Sequence, residues 1–99
     1  MSFNAFLEQD RRLVILKSLA GQLNGTLNEV LIQRALDTFG HNVSRDAVKS
    51  QLRWLEAVDA VTLREASGYL IATLAPRGVD HLERRTPIDG IAKPSLGGA

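Results

Sequence analysis

Three cations, Arg45, Lys49 and Arg53, recur at i, i+4 and i+8, the spacing that stacks side chains along one stripe of a helix. Like charges so placed repel slightly and do nothing for the helix that carries them. Their chemistry therefore points outward, to an anion. Ser50 and Gln51 flank the stripe, Ser44 stands just before it, and Arg64 follows on the next element. Arg pairs bidentately with guanine edges, while Lys and Ser hold phosphates. The candidate chemistry is recognition of double-stranded DNA in the major groove through Ser44, Arg45, Lys49, Ser50, Arg53 and Arg64. Asp46 and Glu56 lie on the same side and dilute the charge, so a solvated or protein-contacting face is the competing reading.

Other chemistries find little footing. The chain has no cysteine, which removes disulfides, thiolate metal sites and cysteine nucleophiles. His41 and His81 have no second ligand at a productive spacing. His41 is expected in a turn, within reach of a phosphate. The carboxylates are scattered, and the glycines at positions 25 and 40 are isolated turn residues rather than a phosphate loop. No enzyme, metal or cofactor is expected. With 12 Lys+Arg against 11 Asp+Glu over 99 residues, the net charge is only +1. Any DNA contact must come from where the charges sit, not from their total.

The elements that would position the stripe follow from caps and periodicity. Ser2 caps a helix from Phe3 to Ala20, which Gly21 and Asn24-Gly25 end. Leu13, Leu16, Leu19 and Ala20 share one side of it, with Phe3, Leu7 and Val14 almost opposite, so this helix needs cover on two sides. A second copy of the chain, meeting Phe3, Leu7, Val14 and the last helix, is the expected cover, although a C-terminal helix of the same chain could also supply it. After a short strand at Thr26-Leu27, Asn28 caps a second helix, Glu29 to about Phe39, with Gly40 in the left-handed closing place. Gly40-His41-Asn42-Val43 is a tight connector, and Ser44 caps the third helix, whose inner stripe is Val48, Leu52 and Leu55. Trp54, at the border of that stripe, is expected to pack on the hairpin that follows. Val61 to Glu65 and Tyr69 to Leu74 alternate as two strands around Ala66-Ser67-Gly68. Pro76 opens a last helix to about Arg85. Thr86 to Ala99, with prolines and glycines and no periodicity, reads as a flexible tail beyond a domain of residues 1–85.

The order α1-(β1)-α2-turn-α3-β2-β3-α4 is a mainly α, α+β winged helix-turn-helix. The run Val43 to Val61 resembles the recognition-helix segment of ArsR/MarR-type winged-helix regulators: a Ser cap, a basic helix, Leu at 52 and 55, and a turn into the first wing strand. Tyr69 to Gly78 is similar to the second wing strand and the start of the next helix, with Ala75 where the family commonly has Thr. The glycine that usually ends the recognition helix is replaced around Val58-Asp59-Ala60, where Asp59 can still adopt a left-handed turn. The opening Ser2 to Arg12 and the overall length are most similar to small winged-helix proteins of Mu-like phages and prophages. The resemblance implies a dimeric transcriptional regulator. The absence of cysteine sets the chain apart from the family's metal sensors.

Two function classes are thus expected: a DNA-binding phage or prophage regulator, or a winged-helix protein-interaction module. The wing tip, Glu65-Ala66-Ser67-Gly68, is acidic and favours the second; the cationic stripe favours the first. Met1 to Asp10 has no basic n-region, and the longest purely apolar run near this terminus, Leu13 to Leu16, is far too short to span a membrane. The expected location is the cytoplasm of a prokaryotic or phage-infected cell.

Overall fold

The computed structural model describes residues 2–95. The elements run α1 (Phe3–Ala20), β1 (Thr26–Asn28), α2 (Glu29–Thr38), α3 (Arg45–Ala57), β2 (Val61–Ala66), β3 (Tyr69–Leu74) and α4 (Pro76–Leu82). The chain is therefore a small α+β protein with a winged-helix layout. Each of the first three helices starts on the cap expected for it. The side chains of Ser2, Asn28 and Ser44 accept from the amides of Ala5, Leu31 and Ala47, satisfying donors that a helix start leaves unpaired. Ala75 offers α4 no such bond, and Pro76 opens that helix instead.

The sheet is antiparallel in the order β1-β3-β2. Val61 pairs with Leu74 and Ala66 with Tyr69 across the hairpin, and Thr26 pairs with Thr73 on the other edge of β3. Ser67 and Gly68 both have positive φ, 51° and 82°, the conformation of a two-residue hairpin turn that matches strand twist. Asp59 takes the left-handed conformation, φ 63°, where α3 ends. Leu16, Leu19, Ile32, Leu36, Val48, Leu52 and Leu55 are fully buried and tie the three long helices together under the sheet.

Three expectations need correcting. First, the helix opened by Pro76 ends at Leu82, not near Arg85: Arg84 turns left-handed at φ 60° and sends the chain back over α1. Second, residues 86–95 are not a loose tail. Ile88 and Ile91 are each 4% exposed and belong to the core, and the amide of Ala92 donates to the Gln9 carbonyl at 3.1 Å. Aperiodic, Pro- and Gly-containing sequence gave no sign of this because the segment packs as an irregular strap, its two isoleucines filling the gap beside α1. Residues 96–99 of the expected tail lie outside the described residues. Third, Val14, expected on the face toward a second copy, is 9% exposed and packs in this chain's own core.

His81 fastens the strap. Its ring is 1% exposed. Nδ1 accepts from the Ile88 amide at 2.9 Å, and Nε2 lies 2.9 Å from the Ala92 carbonyl, to which it donates. Trp54, expected against the hairpin, carries the Arg12 guanidinium 3.8 Å over its ring and meets Gly90 at its edge.

Candidate nucleic-acid interface

Helices α2 and α3 meet across the connector Gly40–Val43, where Gly40 (φ 89°) supplies the left-handed step. His41 does not face outward as expected. It is 6% exposed, and its Nε2 is 2.7 Å from Asp10 Oδ2, which ties the connector to α1. With the His41 amide also donating to the Leu36 carbonyl at 2.8 Å, the turn is anchored to both α1 and α2.

Along that face Arg45, Lys49 and Arg53 are 37%, 41% and 56% exposed. The structure brings the first two together on a residue that sequence reasoning missed. Glu29, the first residue of α2, is 1% exposed. Its Oε1 accepts from the Leu70 amide of β3 at 2.5 Å. Its Oε2 lies 3.7 Å from both Arg45 Nη1 and Lys49 Nζ. A carboxylate withdrawn from water needs such partners. Gln33 completes the cluster: its Oε1 accepts from Arg45 Nε at 2.8 Å, and its Nε2 donates to the Val43 carbonyl at 3.0 Å. Arg45 is thus held within the chain by one hydrogen bond from Nε and an ion pair at Nη1.

Arg53 stands apart from this cluster. It pairs with Glu56 at 3.7 Å and reaches Glu65 on β2 at 3.4 Å, bridging α3 to the hairpin. Exposed pairs of this kind are weak, so Arg53 is readily given up to a stronger anion. Ser50 is exposed on the same face, and Ser44 is occupied in capping. Arg64, on the exposed side of the wing, makes no ion pair among the described residues, and neither does Arg34 on α2. Gln51 is drawn inward, where it accepts from Arg12 Nε at 2.8 Å. Burial holds the Arg12 guanidinium below its ordinary pKa, and Glu8 partly opposes this.

The missed residues had little to reveal them. Glu29 directly after Asn28 reads as an ordinary acidic first-turn residue favoured by the helix dipole; its burial depends on strand β3 passing over it. Arg34 lies beside Asn42 and Arg45 on a polar cleft between α2 and α3, a proximity that only the turn creates. Among the described residues no group of three His, Asp or Glu could hold a metal ion, and no helix is long and apolar enough to cross a membrane.

No family model and no solved structure matches the chain. Two curated relatives do. A protein of Haemophilus influenzae, called only an uncharacterized protein, is 40% identical over 78 residues, covering 78% of this chain and 76% of its own length. Uncharacterized protein gp26 of Escherichia phage Mu is 44% identical over 91 residues, which is 92% of this chain and 94% of the relative. At that identity, over nearly the whole of both proteins, the chain belongs to the family of phage Mu gp26.

Proposed function

We propose that the protein is a DNA-binding winged-helix regulator of the ArsR/MarR type, serving a phage or prophage in the bacterial cytoplasm. One observation carries this reading: Arg45, Lys49 and Arg53 line the exposed face of a Ser44-capped helix that follows a tight turn and precedes a hairpin. That is the placement by which a recognition helix enters the major groove. In this docking Ser50 faces base edges or phosphates, and Arg53 does so on giving up its exposed pairs with Glu56 and Glu65. Arg45, with its Nε on Gln33 and Nη1 beside Glu29, suits a phosphate better than a bidentate guanine contact. Arg64 reaches the backbone from the wing. A second copy, meeting the exposed Phe3 and the half-buried Leu7, supplies the two-fold symmetry such regulators use.

The test is binding to a labelled pool of random duplexes at two salt concentrations, for the wild type and an Arg45→Ala/Lys49→Ala double variant. The wild type is expected to retain duplex at low salt and the double variant to lose at least about tenfold in affinity. No retention by the wild type, or equal retention by both, overturns the DNA reading. A protein partner is the second reading, favoured by Arg53, whose pairing with Glu56 and Glu65 leaves an acid-flanked wing.

A further inference from the structure

Resting on the DNA reading above, we infer that Glu29 is an internal competitor of DNA phosphate, setting how much of the cationic stripe the duplex meets. Its position is unusual for a carboxylate. It is 1% exposed, yet it lies 3.7 Å from two cations whose own side chains are 37% and 41% exposed. The negative charge is inside and its partners stand at the surface. Arg45, Lys49 and Glu29 together present one net positive charge to the outside rather than two.

The other oxygen of Glu29 anchors this arrangement. Oε1 accepts from the Leu70 amide near the hairpin end of β3, which holds the carboxylate in place as a phosphate approaches. Gln33 holds Arg45 from the same helix. A phosphate approaching Arg45 or Lys49 must therefore share its cation with a fixed buried anion. This weakens sequence-independent backbone binding and leaves base contacts by neighbours such as Ser50 and Arg53 a larger share of the total. Through Leu70 the same residue links the wing strand to the recognition helix, so it is a positioning residue for both.

The experiment measures affinity for a random-duplex pool against salt concentration, using the full chain as wild type, Glu29→Gln and Glu29→Asp. Glu29→Gln keeps an oxygen for the Leu70 amide and removes the charge. Its log-affinity slope against log salt is expected to steepen by about one unit, with roughly tenfold tighter binding near about 50 mM salt. Glu29→Asp restores the wild-type slope. A merely structural role would lower the unfolding midpoint and leave the slope alone. Should the Glu29 variants not fold, the Arg45→Gln/Lys49→Gln double variant decides: a slope flatter by about one unit supports the inference, and about two units overturns it. An unchanged slope in a folded, duplex-binding Glu29→Gln protein overturns the inference while the DNA reading stands. Failure of the wild type to bind duplex removes both.

Discussion

Gly90 lies so close to Trp54 that a Cβ on it would fall 2.7 Å from the indole Cη2 and Cζ2 atoms. The glycine also sits at φ 93°, and its carbonyl accepts from Arg12 Nη1 at 2.9 Å. Arg12 in turn covers the indole face. One arginine therefore fastens α1, α3 and the strap at a single point, using a cation–π contact and hydrogen bonds that a lysine could not reproduce. Gly90→Ala combines a steric clash with a left-handed backbone, and it is expected to cost about 2–4 kcal/mol. Chemical unfolding followed by the fluorescence of Trp54 checks this. A loss under about half a kcal/mol would mean that the strap does not rest on the indole.

Leu52 is fully buried on the inner face of α3. Leu52→Ala is expected to destabilise the protein by about 2–5 kcal/mol, as a truncation in a packed core does. The measurement is a urea midpoint with an unchanged slope. It also separates the two faces of the helix, because Ser50→Ala on the exposed side is expected to stay within about 0.5 kcal/mol of the wild type.

His81 holds both of its ring nitrogens in backbone bonds, and the donor at Ile88 with the acceptor at Ala92 fixes a neutral ring with its proton on Nε2. Nitrogen-15 spectra of the imidazole should show that single tautomer. His81→Ala strands a buried amide and a partly buried carbonyl and is expected to cost at least about 2 kcal/mol. Hydrogen exchange at the Ile88 amide should accelerate more than exchange in α3. Equal acceleration across the chain would show that the strap is not a separately held segment.

Phe3 and Phe6, 74% and 57% exposed, leave the first turns of α1 with an apolar surface that the described residues do not cover. On the proposed pairing of two copies, light scattering at micromolar concentration should give twice the chain mass, and Leu7→Asp should return it to one. Helical circular dichroism should survive the change, since the buried part of the helix begins at Leu13. A wild-type monomer at those concentrations would end the pairing proposal.

Most of the fold was legible because its signals are local. Caps at Ser2, Asn28 and Ser44, the closing Gly40, the Ser67-Gly68 turn and the alternation of Tyr69 to Leu74 each act within a few residues. Backbone sterics and short hydrogen bonds then leave little choice of conformation. Asp59 even kept the left-handed place that the resemblance gives to glycine. Gly78, part of the same resemblance, proves to be required by contact: a Cβ there would lie 2.4 Å from the Ala60 carbonyl oxygen.

What the sequence determined by itself was the order of the elements and the stripe of Arg45, Lys49 and Arg53, since helical periodicity fixes which side chains share a face. Only the tertiary structure decided what that stripe is worth. Glu29 and Leu70 are 41 residues apart and Arg12 and Gly90 are 78 apart, and no local pattern encodes which distant chain passes over a given side chain. The same holds for residues 88 and 91. An isoleucine in an aperiodic segment carries the same apolar surface as one in a helix, and whether it is buried depends on the groove that the rest of the fold leaves open.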